Sequence, residues 1–482
     1  MKRVCSGHRL RKLSRAWAPL ALALAVLAAF LPAATAWSQT SGGTGFEIIG
    51  RIQSLTLNNP ADVLSGGTVV VNNISIVIPR NTIITMPGTF LSLGELFNGA
   101  PQSGLATSDA LPPQSPYEIT VTGNIVNGTY IAGLVQIAQS FAQALAGTIT
   151  AIDYATGDLW VAGAIGRPMR SRIQLNDPVG RYGRMISADA RFTADSDNPT
   201  IHAQTGYPMC VPRSNPATQD DPQCPKGNRP LDPVTGTPLK KFTMAAPGTP
   251  GALTDPTKQA PLMVGDFIIY SGIQASDAKG AYVSASHINS WVGISTAPGT
   301  LPAYVTQEVS LLGVGAGPTF PGIAVDFTRI VKVVGFTTDP TRPVDVYAID
   351  VNPCTGVETQ RLLGTAFPTP FEQKFTFEPP AIGSFLPVMR EITVKMRQGT
   401  TPAANGLIAG QYRAPVGTYI FPMTLIPGLP LIPRNFGDFP FLAKGSGPFH
   451  GAGPVVGQLS PWPRSEERRV GKECRSRWSP YH

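Results

Sequence analysis

The chain has 482 residues, of which 38 are basic and 30 are acidic, so its formal net charge is +8. This excess lies at the two ends, because residues 37–463 hold 26 basic and 27 acidic residues. A nearly neutral body gives no electrostatic reason to expect nucleic acid as a partner.

The first 36 residues have the plan of a secretory signal peptide. Basic residues up to position 15 precede an uninterrupted apolar run at 20–31, and Ala-Thr-Ala at 34–36 supplies the small residues of a cleavage site. The apolar run is shorter than the ~20 residues that a membrane-spanning helix needs. We therefore predict cleavage after Ala36, a secreted, periplasmic or cell-surface location, and no transmembrane segment after cleavage.

Strand and turn patterns dominate the rest of the chain and predict an all-β fold. Runs of alternating apolar residues are separated by short polar segments that suit hairpin turns. These turns are predicted at residues 72–73, 127–128, 156–157 and 352–356. One helix is predicted over residues 134–147, where apolar residues recur at helical spacing and Gly147 can end the helix.

An internal repeat divides the first half of the body. The phrase GRIQSL at residues 50–55 is similar to GTITAI at residues 147–152, which lies 97 residues later. A second pair of phrases, VTGNIVNGTYIAGLVQI and YSGIQASDAKGAYVSASHI, is separated by 149 residues, counted from Gly123 to Gly272. Two copies of one small β-unit, the second enlarged by an inserted loop, explain both spacings.

The order of these phrases resembles the DUF5666 type of bacterial extracytoplasmic domain, a small β-barrel similar to an OB-fold. The resembling segments are GRIQSL…GGTVVVNN, ITVTGNIVNGTYIAGLVQI, GTITAI…GDLWVAG and DFIIYSGI…GAYVSASHI. They cover about half of residues 37–463. The resemblance implies two tandem OB-like β-barrel or sandwich units and no activity, because that family has no agreed catalytic residues.

The second half of the body predicts a different architecture. Short strands separated by turns begin near residue 324, as in an immunoglobulin-like sandwich. Beyond residue 400 the density of Pro and Gly predicts an extended segment that packs over a domain surface or serves as a linker. The predicted organisation is a signal peptide at 1–36, a first β-unit at 44–146, a second at 147–295 with an inserted loop at 195–260, an immunoglobulin-like β-sandwich at 320–400 and a Pro/Gly-rich segment at 401–463.

The last segment, RSEERRVGKECRSRWSPYH at residues 464–482, differs sharply in composition from the chain before it. Six of its 19 residues are basic. It resembles the translation of a sequencing adapter joined in frame to a gene fragment. We therefore interpret the tail as an artefact, and we expect the natural protein to continue beyond residue 463.

Cys210 and Cys224 lie in a loop rich in Pro, Asn and Asp. In an oxidising compartment a disulfide between them would stabilise the fold by ~3 kcal/mol through loop closure. A zinc site is the alternative, but two cysteines without a nearby histidine are weak evidence for it. We predict the disulfide, which leaves Cys354 without an assigned partner.

Other chemical candidates are few. Asp195 and Asp197 supply oxygen atoms of the kind that calcium prefers. The Gly and Glu of an EF-hand loop are absent, however, so we prefer the alternative of a solvated turn. Ser286 and His287 are neighbours, and in a strand they face opposite sides of the sheet. Two tryptophans can either stack on a sugar or lie in the core; these are Trp160 and Trp291.

We predict no catalytic residues and no cofactor. The expected function is that of a secreted or cell-envelope β-rich protein serving as a non-enzymatic binding, scaffolding or adhesive module. Its candidate partners are cell-surface polysaccharide and envelope protein. The alternative is a carbohydrate-active or other secreted hydrolase whose catalytic part lies in loops or beyond residue 463.

Overall fold

The computed structural model describes residues 43–139, 145–163, 170–314, 331–352, 355–379, 387–421, 433–448, 455–457 and 459. The predicted signal peptide, the adapter-like tail and Cys354 lie outside these residues. Within them the chain forms 29 strands and two short α-helices, which confirms the all-β prediction. Neither of these helices has the length and apolar character needed to span a bilayer.

The first unit is a five-stranded barrel with two short strands and one helix attached. Its strands are β1 (Gly43–Leu57), β2 (Gly67–Val71), β3 (Ile74–Ile78), β4 (Ile83–Thr85), β5 (Phe90–Ser92), β6 (Glu118–Val126) and β7 (Thr129–Ala138). The order β3-β2-β1-β6-β7 closes on itself, because β3 also pairs in parallel with β7. β4 pairs in parallel with β7, and helix α1 (Leu93–Phe97) follows β5.

The hairpin between β2 and β3 follows from its local sequence. Buried and less buried residues alternate along β2, so that one face of the strand packs into the barrel. Between the two strands Asn72 and Asn73 have φ values of 51° and 62°. Asparagine tolerates this left-handed conformation better than most residues, and the predicted hairpin is confirmed.

The helix predicted over residues 134–147 is wrong where the structure describes it. Residues 134–138 form the end of β7 and pair with β6. Val135 and Ile137 point into the core and are 3% and 0% exposed. The same apolar residues therefore satisfy the alternation of a strand, and pairing within the barrel outweighs the local helical spacing.

The second unit repeats the path of the first. Its strands are β8 (Leu145–Asp153), β9 (Asp158–Ala162), β10 (Arg170–Leu175), β11 (Ile201–Ala203), β12 (Met209–Cys210), β13 (Lys241–Met244), β14 (Ala260–Pro261), β15 (Phe267–Asp277), β16 (Gly280–Ser290) and β17 (Gly293–Thr296). The order β10-β9-β8-β15-β16 closes through a parallel pairing of β10 with β16. β11 runs parallel to β16, just as β4 runs parallel to β7.

The two barrels share their irregularities as well as their strand order. The pairing shifts after Ile52 in β1 and after Ile149 in β8, which are 97 residues apart. A second shift occurs at Gly123 in β6 and at Gly272 in β15. A Cβ atom would lie 2.0 Å from a main-chain oxygen at Gly123 and 2.1 Å from one at Gly272. Both bulges therefore depend on the close approach that glycine allows.

Extra chain distinguishes the second barrel from the first. Residues 79–82 join β3 to β4, whereas the longer stretch 176–200 joins β10 to β11. A further long stretch, which contains β12, β13 and β14, separates β11 from β15. The inserted loop predicted at 195–260 lies within this extra chain, which starts directly after β10.

The third unit is a sandwich of two four-stranded sheets. Its strands are β18 (Val305–Gly313), β19 (Val331–Thr337), β20 (Val344–Val351), β21 (Glu358–Ala366), β22 (Lys374–Phe377), β23 (Glu391–Met396), β26 (Gln411–Pro415) and β27 (Thr418–Ile420). The short strands β24 (Thr401–Pro402) and β25 (Ile408–Ala409) pair with each other in a separate two-stranded sheet. One sheet has the order β22-β19-β18-β27 and the other the order β21-β20-β23-β26. Their facing sides share one apolar core.

The sandwich exceeds the range 320–400 predicted for it. β18 begins before residue 320, and β26 and β27 complete the two sheets after residue 400. Further along the Pro/Gly-rich segment, the buried rings of Phe436 and Phe439 join the sandwich core. This segment also forms helix α2 (Pro440–Ala443) and the short pair β28 (Gly447–Pro448) and β29 (Val455–Val456). It contributes to the core through these aromatic rings.

The described residues from Thr44 onward belong to one compact unit, in which the sandwich contacts both barrels. Asn124 of β6 exchanges two hydrogen bonds with the main chain of Arg434, at 2.9 Å and 2.7 Å. Asn198, in the insertion of the second barrel, makes the same two-way contact with the main chain of Arg413 in β26. Each barrel is therefore held to the C-terminal half through an asparagine amide.

Candidate functional site

The cysteine pair closes a loop within the insertion of the second barrel. Cys210 at the end of β12 forms a disulfide with Cys224, and both side chains are fully buried. Inside this loop Arg213 donates to the Asp221 carboxylate from its main-chain N–H and from its guanidinium, both at 2.9 Å. Burial alone would raise the pKa of Asp221, but hydrogen bonds from Arg213 and Gln223 lower it below its ordinary value. The loop is therefore held at both ends and across its middle.

An open cleft of about 750 Å³ adjoins the disulfide loop. This volume is within the range of ligand-binding sites. The β8–β9 turn, the end of β10, the chain that follows β10 and the disulfide loop all contribute to its walls. Its lining includes Thr156, Gln174, Val179, Arg184, Met185 and Arg213.

Two arginines tie the walls of the cleft together. Arg184 donates to the main-chain oxygen of Tyr154 in the β8–β9 turn and to that of Arg213 in the disulfide loop, both at 2.9 Å. Arg213 in turn donates to the main-chain oxygen of Gly180. The described lining contains these two guanidiniums and no carboxylate. Because Arg213 is paired with Asp221, the excess positive charge comes from Arg184, and it favours a neutral or anionic ligand over a cationic one.

Apolar side chains stand exposed on the same surface. Val179 is 61% exposed and Met185 is 73% exposed. They lie in the cleft beside polar Thr156 and Gln174. Apolar surface with a few fixed polar groups is the usual composition of a ligand-binding site.

The two calcium candidates lie in a turn that connects to the sandwich. The Asp195 carboxylate accepts hydrogen bonds from the Asp197 main-chain N–H at 2.7 Å and from the Asn198 amide at 2.6 Å. Burial raises the pKa of Asp195 to about 6. Among the described residues, no three His, Cys, Asp or Glu side chains are grouped closely enough to hold a metal ion. The Asp195 carboxylate caps its own turn.

A second polar region lies between the second barrel and the sandwich. The rings of His202 in β11 and His287 in β16 meet edge to face, with centroids 5.2 Å apart and planes at 73°. Burial lowers the pKa of His202 to about 4 and that of His287 to about 3, so both imidazoles are neutral at neutral pH. His287 therefore contacts another histidine through its ring. No described hydrogen bond joins it to Ser284 or Ser286.

Two further polar side chains complete this region. Asn289 in β16 donates from its amide nitrogen to the carboxylate of Glu308 in β18, at 3.0 Å. Because β16 belongs to the barrel and β18 to the sandwich, the bond crosses between the two units. We call His202, His287, Asn289 and Glu308 the histidine seam.

No family model, curated protein or solved structure matches this chain. The resemblance to DUF5666-type domains stays a prediction for that reason.

The two tryptophans considered for sugar stacking lie apart from the cleft lining. Trp291 is 56% exposed and packs edge to face on Phe267, with ring centroids 5.1 Å apart. Trp160 lies on β9 and is partly buried. No described ring contact joins Trp160 to Trp291, so they do not form a shared platform there.

The sequence alone did not indicate the cleft. Its residues come from segments that are distant along the chain, and none of them forms a recognised motif. The cysteine pair beside Arg213 was the one local signal, because a polar loop that is closed by a disulfide has a restricted shape. Val179, Arg184 and Met185 had no comparable signal.

Proposed function

We propose that this chain is a secreted or cell-envelope protein that binds a polysaccharide in the cleft of its second barrel without catalysing a reaction. The observation that carries the proposal is the cleft, which is open, has the volume of a ligand site and is walled by bonded loops. Walls that are ordered before binding reduce the entropy cost of association.

The chemistry of the lining supports an acidic polysaccharide in particular. Each guanidinium has five N–H donors, so Arg184 keeps donors for a ligand after its contacts with main-chain oxygens. Arg213 keeps fewer, because it also donates to the Asp221 carboxylate and to the main-chain oxygens of Gly180 and Arg181. Guanidinium groups pair well with the carboxylates of uronic acids. The apolar faces of sugar rings can pack on the exposed Val179 and Met185.

Two other observations support an extracytoplasmic location. The pattern of residues 1–36 predicts a signal peptide. The bond between Cys210 and Cys224 is of a kind that persists in oxidising compartments. A secreted or envelope protein meets cell-surface polysaccharides directly.

Binding to a polysaccharide array tests this proposal. We expect the purified full chain to bind uronic-acid polymers, to bind neutral glucans more weakly and to leave cationic chitosan unbound, with affinity for the acidic polymers falling as salt rises. Arg184→Gln should weaken acidic binding about tenfold, which corresponds to one charge-assisted contact.

A matched pair of apolar variants locates the binding surface. Met185→Ser changes a side chain in the cleft, whereas Leu253→Ser changes one that is 83% exposed and lies outside the described cleft lining. We expect only Met185→Ser to weaken binding. Equal losses in the two variants, or equal binding to acidic and cationic polymers, would contradict the proposal.

A further inference from the structure

The histidine seam gathers nitrogen and oxygen donors from three strands. His202 of β11 pairs in register with Asn289 of β16, because the two strands run parallel. His287 lies two residues before Asn289 on the same strand, and residues two apart point to the same face. The three side chains therefore project from one face of the second barrel, and β18 adds Glu308 beside them.

The tautomer of His202 leaves one ring nitrogen available for coordination. Its Nδ1 lies 2.7 Å from the main-chain oxygen of Ala203. A carbonyl oxygen only accepts, so Nδ1 carries the proton and Nε2 has a free lone pair. No described hydrogen bond engages this Nε2. Metal-binding histidines are commonly oriented by such a bond from the opposite nitrogen.

The spacing of the two imidazoles suits a shared ion. A zinc ion ~2.0 Å from each ligating nitrogen lies about 3 Å from each ring centroid, and tetrahedral geometry then separates the two centroids by about 5 Å. The observed separation between the rings of His202 and His287 is 5.2 Å. The centroid separation is therefore compatible with joint coordination, although an ordinary edge-to-face contact has a similar value.

The amide of Asn289 supplies a third donor. A carboxylate only accepts, so the contact with Glu308 at 3.0 Å fixes the amide nitrogen on that side and turns Oδ1 away from Glu308. This Oδ1 is buried and has no hydrogen-bond partner among the described residues. An unpaired buried carbonyl oxygen is costly, and a cation would satisfy it.

We propose that the histidine seam binds a divalent first-row transition metal ion, with zinc as the expected occupant. His202 Nε2, one ring nitrogen of His287 and Asn289 Oδ1 are the protein ligands, and solvent completes the coordination. Two imidazoles select zinc, nickel or copper over calcium or magnesium. Glu308 orients the amide and adds a negative charge at the exposed edge, where the ion enters. This site is separate from the polysaccharide cleft and does not depend on it.

Zinc titration of the purified full chain by calorimetry tests the proposal. We expect one site of micromolar affinity or better, and cobalt in its place should give the visible absorption of a low-coordinate nitrogen and oxygen site. His287→Ala should weaken zinc binding at least about 100-fold, because it removes a ligand. Glu308→Gln should weaken it about tenfold, because it removes only the group that orients Asn289.

A matched variant separates this site from other metal-binding groups in the chain. His450→Ala removes a histidine that is not one of the four seam residues and should leave zinc affinity unchanged. Circular dichroism must show that each variant is folded, and the exposed Glu308 provides a test even if loss of a buried ring disturbs folding. The proposal is overturned if the wild-type chain binds no zinc, if folded His287→Ala binds as tightly as wild type, or if anomalous diffraction places the ion elsewhere.

Discussion

The two barrels follow the same path but present opposite chemistry at the same edge. Leu134 in β7 and His287 in β16 occupy equivalent positions, each one residue before the first pairing with β4 or β11. Leu134 packs against the sandwich core and, together with Tyr419, lines a mostly apolar cavity of about 50 Å³ whose wall also includes Arg390. His287 instead meets His202 in the histidine seam.

This difference shows which parts of the repeat carry structure and which are free to change. The bulges at Gly123 and Gly272 and the parallel closure are shared, because each barrel needs them to close its sheet. The side chains that face outward at the edge, and the chain inserted after β10, have no such constraint. The candidate sites lie where the second barrel departs from the first.

The largest expected effect concerns a buried ion pair within the extra chain of the second barrel. Arg229 donates two hydrogen bonds to Asp266, at 2.7 Å and 2.9 Å, and both side chains are 0% exposed. Asp266→Asn leaves a buried guanidinium without its counter-ion, so we expect a loss of about 4 kcal/mol in the free energy of unfolding. Urea denaturation measures it, and a loss below about 1 kcal/mol would contradict the role of the pair.

The same carboxylate predicts a pH dependence. Burial would raise the pKa of Asp266, but hydrogen bonds and the charge of Arg229 lower it below its ordinary value of 3.8. A lowered folded-state pKa adds stability above the unfolded value, and this stability is lost as the pH falls through the folded value. The difference in stability between wild type and Asp266→Asn should therefore shrink below about pH 4. Denaturation at pH 7, 5 and 3 would reveal a constant difference if the expectation is wrong.

The disulfide provides the next test, since the first barrel has no equivalent loop. Replacing both Cys210 and Cys224 by serine should lower the free energy of unfolding by about 3 kcal/mol, the loop-closure value for this separation. Limited proteolysis should then cut within residues 211–223, while β1 to β7 remain protected. Cleavage in the first barrel at the same rate would show that the loop does not act locally.

The shared bulges should respond alike in the two barrels. Gly123→Ala and Gly272→Ala each place a Cβ about 2 Å from a main-chain oxygen, so the strands must move apart. We expect each variant to lose about 2 kcal/mol of stability by overpacking. Thermal unfolding of the two variants measures the losses, and a large difference between them would show that the barrels are not equivalent at this point.

The smallest effect concerns an exposed ion pair in the first barrel. Arg80 and Asp62 are 2.8 Å apart, with side chains 52% and 26% exposed. A hydrogen bond from Arg80 lowers the pKa of Asp62, but solvent screens the pair. Asp62→Asn should therefore cost less than about 1 kcal/mol in urea denaturation. A loss as large as that of Asp266→Asn would remove the contrast between the two pairs.

Much of the fold was predictable from the sequence, because its local signals are strong. Asn72-Asn73 and Asn127-Gly128 mark hairpins by their own conformational preferences, and both turns lie where they were predicted. The all-β class follows from the same alternation and turns. The helix predicted over 134–147 is wrong at residues 134–138, because spacing alone cannot show that β6 lies alongside them and pairs with them.

The sites themselves required the tertiary structure. The cleft forms where the β8–β9 turn, the chain after β10 and the disulfide loop converge, and the histidine seam forms where β11, β16 and β18 meet. The conformation of a turn depends on residues that are neighbours in the sequence. The sequence by itself therefore determined the strands, the hairpins and the repeat. Contacts between distant segments depend on how the strands pair and how the inserted chain returns to the barrel. Only the folded chain therefore brings His202 close to His287, and Arg184 close to Arg213.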